Sequence, residues 1–212
     1  MRPKLIDISP LISEKIAVYP GDTPFSRKIL CDLEAGANIT VSSITTSVHV
    51  GAHADAPNHY ARGGSGIAER SLDFYYGPCQ VVKVDIGPYE RILPSHLQGK
   101  EILAPRILFR TDTFSFADKD WNSRYASLSA EVVHWLADQN VRLVGIDTPS
   151  IDLDDDKILL SHAAVAARDL AILEGLVLRG VDEGIYDLIA LPLKLAGADA
   201  SPVRAALLPL NF

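Results

Sequence analysis

The sequence predicts one domain of the α/β class, of the mixed α+β kind, with a curled, barrel-like mixed sheet and few helices. Short segments rich in β-branched and aliphatic residues recur between turn residues, whereas helical patterns are scarce, short and mostly late. A regularly alternating, doubly wound sheet is therefore not expected. With 212 residues, 48% of them apolar, and no obvious linker, we expect residues 1–212 to form a single domain around one core.

About eight segments have the composition of strands and are bounded by Gly, Pro, Asn or Asp. In chain order they are Leu5–Ser9, Ile39–His49, Gln80–Ile86, Ile107–Thr111, Val141–Ile146, Ala171–Leu178, Leu188–Leu193 and Val203–Leu208. The fifth is strongly apolar and leads into Asp147-Thr-Pro149. This pattern predicts a strand that is buried on both faces and brings polar groups to its C-terminal end.

The clearest helix is Ala130–Gln139. Ser129 can cap its first turn, and Val132, Val133 and Leu136 form an apolar stripe. This helix leads directly into the buried strand predicted above.

Charge and composition exclude several classes of partner. Lys and Arg total 20 against 27 Asp and Glu, a net charge of −7, so the chain offers no basic field for nucleic acid. The N-terminal segment Met1–Ser9 lacks the apolar core of a secretion signal, and no later run is long enough to span a bilayer. We therefore expect a cytoplasmic protein with no membrane partner. Cys31 and Cys79 follow no metal-binding or redox spacing and are interpreted as free thiols.

The segment Ser47–His59 is unusually rich in metal-ligating residues. It contains His49, His53, Asp55 and His59, although the whole chain has 6 histidines. Imidazole and carboxylate groups are the ligands that borderline divalent metals such as Zn²⁺ prefer. Each histidine alone could equally be hydrogen-bonded in a polar loop. Together the residues favour a metal site.

Backbone geometry adds a condition to this hypothesis. Residues four apart in an extended strand lie about 13 Å apart, whereas two ligands of one metal must approach within roughly 3–4 Å. The chain must therefore bend between His49 and His53. Gly51 lies where the bend is required, and Pro57 ends any strand pairing soon afterwards.

Further ligands must come from elsewhere in the chain. Glu174 is one candidate, because it is a lone carboxylate in an apolar strand and an ionised group there needs a partner. His162 is another, although a histidine at the start of a helix is also explained as a surface or capping residue. The three carboxylates of Asp154-Asp-Asp156 are interpreted as a solvated turn.

The pattern His49-x-Gly-x-His-x-Asp-x-Pro-x-His59 resembles the signature of the cyclase family, and in particular its bacterial kynurenine formamidase (arylformamidase) branch. The resemblance extends over nearly the whole chain. It includes Asp7–Pro10, Tyr19–Phe25, Tyr76–Cys79, Arg142–Ser150, Ala171–Gly175, Ala190–Lys194 and Asp199–Arg204.

The resemblance implies a homodimer with a swivelling β/β/α-type fold and a centre of two divalent metal ions, usually zinc, with manganese as a further possibility. Residues matching His49, His53 and Asp55 would hold one ion, and Asp55 would bridge to a second held with His162 and Glu174. His59 would transfer protons. Two departures from the pattern are Ala52 in place of Thr, and Tyr19 in place of the Trp expected to stack on the substrate.

The implied reaction is hydrolysis of N-formyl-L-kynurenine to L-kynurenine and formate by water that two metal ions activate. The departure at Tyr19 keeps open a second hypothesis, a hydrolase of another amide or lactam similar to isatin hydrolase. A metal-stabilised binding protein without turnover and a purely structural domain are the remaining alternatives.

Overall fold

The computed structural model describes residues 4–116 and 120–210. Strands dominate the described residues, and the helices are short. The strands are β1 (Ile6–Asp7), β2 (Ser26–Cys31), β3 (Val41–Thr45), β4 (His53–Asp55), β5 (Tyr76–Lys83), β6 (Arg91–Ile92), β7 (Arg106–Arg110), β8 (Ser127–Leu128), β9 (Leu143–Ile146), β10 (Ala171–Glu174), β11 (Gly184–Ile189), β12 (Ala200–Pro202) and β13 (Ala206–Pro209). The α-helices are α1 (Pro57–Tyr60), α2 (Ala130–Asp138) and α3 (Leu160–Arg168).

The main sheet is mixed, as the sequence predicts, and curls into a half-barrel. Its 9 strands lie in the order β1-β13-β11-β5-β7-β9-β10-β4-β12. The central strands β5, β7, β9 and β10 are parallel to one another, and every other pairing in the sheet is antiparallel. The parallel strands account for the buried apolar segments in the sequence, since both faces of such strands are covered.

Helices α2 and α3 pack against each other and cover one face of the sheet. Val132 and Leu136 of α2 and Val165 of α3 share a core with Val144 and Ile172 of the central strands. A second core lies on the opposite face, around Leu143, Leu173, Leu188 and Leu207. The alternation of neighbours such as Leu143 and Val144 between the two cores confirms the prediction of a doubly covered strand at β9. None of the described helices has the length and apolar character that crossing a bilayer requires.

Each predicted strand segment overlaps a strand, but several boundaries were wrong. The predicted segment Ile39–His49 stops at Thr45, because β3 pairs only with β2 and the chain then turns. The predicted segment Ala171–Leu178 stops at Glu174, because Gly175 takes a positive φ of 68°. The predicted segment Leu188–Leu193 shifts toward Gly184, since β11 pairs along β5 from that residue.

Two glycines contact each other at the ends of neighbouring strands: Gly51 precedes β4, and Gly175 follows β10. Gly51 has a φ of +62° and Gly175 a φ of +68°, a conformation that glycine adopts without steric cost. A Cβ atom on Gly175 would lie 2.1 Å from the carbonyl oxygen of Gly51. The bend that the sequence predicts near Gly51 is therefore present, and it requires that Gly175 carry no side chain.

We expect Gly175→Ala to lower the free energy of unfolding by about 2–5 kcal/mol, because backbone strain adds to the overlap with Gly51. Gly180→Ala is the matched control, since Gly180 also has a positive φ of 84° but no described atom lies within 4 Å of the Cβ that alanine would add. This control should lose only about 1–2 kcal/mol. Chemical denaturation measures the free energy of unfolding of both variants. Equal losses would show that the contact between Gly175 and Gly51 does not contribute to stability.

Candidate metal centre

The structure brings together six residues that the sequence places in three separate segments. Strand β4 carries His53 and Asp55, the turn before it carries His49, and α1 immediately after it carries His59. His162 lies in the first turn of α3, and Glu174 is the last residue of β10. Antiparallel pairing of β4 with β10 places His53 opposite Glu174.

The ring nitrogens and carboxylate oxygens converge on a small volume. The Nδ1 atom of His49 lies 3.2 Å from Asp55 Oδ1, and the Nε2 atom of His53 lies 3.2 Å from Glu174 Oε2. The Nε2 atom of His162 lies 3.5 Å from Asp55 Oδ2 and 3.5 Å from Glu174 Oε1. Five potential ligands therefore face one another across distances that a bridging cation could span.

The outer nitrogen of each of these histidines is held by an oxygen that can only accept a hydrogen bond. The three bonds run from His53 Nδ1 to the Gly51 carbonyl (2.9 Å), from His162 Nδ1 to Asp152 Oδ2 (2.8 Å) and from His49 Nε2 to Asp199 Oδ2 (2.9 Å). Each outer nitrogen therefore carries its proton toward that oxygen. The inner nitrogen presents its lone pair once an ion displaces any proton it carries, which is the arrangement of a metal-ligating histidine.

The buried carboxylates of the cluster favour a bound cation at this position. Asp55 is 1% exposed and Glu174 is 3% exposed, and neither oxygen of Asp55 has a hydrogen bond of normal geometry to a described residue. Burial raises the pKa of Asp55, but interactions with His162 and His49 outweigh it and hold that pKa well below its ordinary value. Burial lowers the pKa of both histidines, yet the surrounding carboxylates raise it to about 9 for His49 and about 10 for His162.

Nitrogen and oxygen donors of this kind suit a divalent metal ion. Two groups of ligand atoms, each within 4.8 Å of one another, share Asp55: one contains His49 and His59, the other His53 and Glu174. Sharing of Asp55 agrees with a bridging carboxylate. The grouping differs from the division implied by the resemblance, because His53 lies beside Glu174 and His59 lies beside His49.

His59 occupies a different environment from the other histidines. Its side chain is 34% exposed, its ring centre lies 4.3 Å from that of His49, and its Nδ1 atom lies 3.6 Å from Asp199 Oδ2. The side chain therefore reaches both the cluster and solvent, as proton transfer requires.

A cavity of about 630 Å³ opens onto the cluster. Tyr19 lines it and makes an edge-to-face contact with Trp121, with ring centres 5.3 Å apart. Phe116 and Tyr125 also line the cavity, so one side of it is an aromatic wall. The Nε1 atom of Trp121 is buried and has no hydrogen-bond partner among the described residues.

Sequence reasoning missed Asp152, Asp199 and Trp121. Asp152 follows the predicted buried strand closely and was detectable as a polar group near its C-terminal end, whereas the contact of Asp199 with His49 depends on pairing between distant segments. The interpretation of Asp154-Asp-Asp156 as a solvated turn is wrong for Asp156, which forms an ion pair with Arg91 (2.5 Å). Asp154 and Asp155 do form a turn, in which Asp155 is exposed and Asp154 lines the cavity.

Comparisons with known proteins agree with this geometry. The family model Cyclase matches residues 6–153. The kynurenine formamidase of Bordetella petrii is 45% identical over 210 residues, which cover 98% of this chain and 99% of that protein. A solved structure described as a potential metal-dependent hydrolase with cyclase activity has a TM-score of 0.82 at 29% identity, covering 98% of both chains.

Isatin hydrolase A from Labrenzia aggregata has a TM-score of 0.79 at 22% identity, covering 97% of this chain and 93% of that one. This likeness concerns the fold alone. The family model and the extent of identity with the curated relative are sufficient to place the sequence: the chain belongs to the cyclase family.

Proposed function

We propose that this chain is a metal-dependent amide hydrolase that converts N-formyl-L-kynurenine to L-kynurenine and formate. The observation that carries the proposal is the convergence of His49, His53, Asp55, His162 and Glu174 at the base of a cavity with an aromatic wall. Near full-length identity of 45% with a kynurenine formamidase supports the choice of substrate.

We assign His49, His53 and Asp55 to one ion, because both histidines face Asp55 Oδ1 at 3.2 and 3.5 Å. We assign Asp55, His162 and Glu174 to a second, because His162 Nε2 faces Asp55 Oδ2 and Glu174 Oε1, each at 3.5 Å. Zinc is the first choice, and manganese suits the same donor set. Metal ions in this position supply acidity to a water molecule and polarise the formyl carbonyl. Asp152, Asp199 and the Gly51 carbonyl keep the ligating histidines in one tautomer and one orientation.

His59 is the residue that we assign to proton transfer. It would accept a proton from the water that attacks the formyl carbon, and return that proton to the aniline nitrogen as the C–N bond breaks. The products are formate and a free aromatic amine. Asp199 Oδ2 lies 3.6 Å from the Nδ1 atom of His59 and would help to orient its ring.

Tyr19 and Trp121 would bind the aromatic ring of the substrate. Both line the cavity, and aromatic pairs prefer edge-to-face or offset contacts of the kind that they already make. The position where the resemblance leads us to expect Trp is occupied by Tyr19, but Trp121 provides an indole on the same wall.

We expect the purified protein to hydrolyse N-formyl-L-kynurenine when loaded with Zn²⁺ or Mn²⁺ and to lose this activity after chelation. Isatin belongs in the same panel as the substrate of the alternative hypothesis. Release of kynurenine can be followed by absorbance, with metal counted by elemental analysis. Ring opening of isatin without hydrolysis of the formamide would contradict the proposed substrate.

The roles assigned to His59 and Asp55 predict that variants of the two residues differ in whether they keep their bound metal. His59→Ala should keep its bound metal while kcat falls by about 10²–10⁴, because only proton transfer is removed. Asp55→Asn should lose metal and activity together, since it removes the shared ligand, and Glu174→Gln should behave likewise. Glutamine can still accept the hydrogen bond from the backbone N–H of Ile151, so the fold should persist.

His134→Ala is the control for these variants, because His134 is exposed on α2 and lies outside the cavity. It should match the parent protein in metal content and kcat. Unchanged turnover in His59→Ala would remove the proton-transfer role. Two metals per chain in Asp55→Asn or Glu174→Gln would contradict the ligand assignment.

A homodimer is also part of the proposal, and the β2–β3 hairpin supports it. The hairpin pairs with no other strand in the described chain and exposes large apolar side chains at Ile29, Leu30, Val41 and Ile44. Exposed apolar side chains grouped on one hairpin are typical of a protein–protein contact. Light scattering of the intact chain should give the mass of a dimer, and a monomer mass at micromolar concentration would contradict it. We also propose a cytoplasmic location, in which the free thiols of Cys31 and Cys79 stay reduced.

A further inference from the structure

Two oppositely charged side chains on the cavity remain without a role after the metal cluster and the aromatic wall are accounted for. Asp154 and Lys157 both line the cavity that contains His59 and Trp121. Neither side chain forms an ion pair within 4 Å in the part of the chain that the structure describes. Oppositely charged groups that face a cavity without neutralising each other can bind a zwitterion.

The other carboxylates of this loop are occupied. Asp152 accepts from Arg91 (2.8 Å) and from His162, and Asp156 accepts from Arg91 (2.5 Å) and from the backbone N–H of Leu159. Asp154 differs from both, because its Oδ1 atom is buried and has no hydrogen-bond partner among residues 4–116 and 120–210. No donor neutralises Oδ1, so the carboxylate of Asp154 keeps its negative charge for a cation that enters the cavity.

The surroundings of Asp154 leave it as the acceptor most available to a ligand with a positive charge. Burial raises the pKa of Tyr125, and the negative charge of Asp154 raises it further, so this hydroxyl stays neutral. Asp22 also lines the cavity, but its Oδ2 atom already accepts a hydrogen bond from Ser47 Oγ (3.1 Å). Asp154 is therefore more available than Asp22 to accept a hydrogen bond from a cationic group of a ligand.

The loop that carries Asp154 is joined to the metal cluster by a hydrogen bond. The backbone N–H of Ile151 donates to Glu174 Oε1 (2.6 Å), which ties the loop to the metal cluster. Asp154 follows three residues later, so its Cα atom lies within about 11 Å of that of Ile151. Covalent bond lengths place the ammonium group of N-formyl-L-kynurenine roughly 6–8 Å from its formyl carbon. The first value is an upper limit, and the length of the substrate falls within it.

We propose that Asp154 binds the α-ammonium group of the substrate and that Lys157 binds its α-carboxylate, so the site selects aryl formamides that carry an α-amino acid head. This inference rests on the proposed function and adds the residues that choose among aryl amides. Isatin and simple anilides lack both charges and gain nothing from this pair.

Three substrates separate the two contacts. N-formyl-L-kynurenine carries both charges, N-formylkynuramine carries only the ammonium group, and formanilide carries neither. Asp154→Asn should lower kcat/KM for the first two relative to formanilide by about tenfold or more, as expected for a partly buried charged contact. Lys157→Met should lower kcat/KM for N-formyl-L-kynurenine relative to N-formylkynuramine by about two- to fivefold, because Lys157 is exposed.

Asp155→Asn is the matched control, since Asp155 is exposed in the same turn and does not line the cavity. It should leave the substrate ratios unchanged. Unchanged ratios in Asp154→Asn, or an equal fall for all three substrates, would overturn the inference while leaving the proposed function intact.

Calorimetric binding of L-kynurenine keeps the test independent of turnover, because this product carries the same head group. Weaker binding to Asp154→Asn than to the parent supports the inference even if the formamide is not hydrolysed, in which case only the proposed function fails. A parent protein that neither hydrolyses the formamides nor binds L-kynurenine would overturn both.

Discussion

Antiparallel pairing between β4 and β10 is the contact on which the candidate metal centre depends. It places His53 opposite Glu174 and leaves Asp55, two residues along β4, on the same side of the strand. Because the side-chain period of a strand is two residues, a slip of one residue would turn both His53 and Asp55 away from Glu174. The two glycines beside this pairing, Gly51 and Gly175, permit the close approach of the backbones that the register requires.

The same pairing creates an electrostatic problem that the histidines only partly solve. Asp55 and Glu174 are buried together, and His49 and His162 have raised pKa values because these carboxylates attract protons to them. Protons and metal ions therefore compete for the same ring nitrogens. The hydrogen bonds on the outer nitrogens do not enter this competition, so they would hold each ring in one orientation whichever cation binds.

The sequence was informative where chemistry is concentrated in adjacent residues or contradicts its surroundings. His49, His53, Asp55 and His59 are neighbours, and Glu174 is conspicuous in an apolar strand, so their proximity could be anticipated from the sequence and the family resemblance. Strands β4 and β12 could not be predicted, because each has only three residues and no alternation to detect.

The cavity wall was harder to predict for a related reason. Trp121 reaches Tyr19, and Asp199 reaches His49, across large separations in the chain, and neither contact leaves a local pattern. Asp154 belongs to a run of acidic residues whose members look alike in the sequence. Only the position of Arg91 shows that Asp152 and Asp156 are neutralised while Asp154 remains available.

The position of β4 in the sheet also bears on how the protein is made. Both of its neighbours, β10 and β12, are encoded in the last part of the chain, whereas β4 lies in the first third. During synthesis the segment with His49, His53 and Asp55 leaves the ribosome well before any strand that can pair with it. Assembly of the centre must therefore await nearly the entire polypeptide, and a truncated product would expose these ligands without being able to enclose an ion.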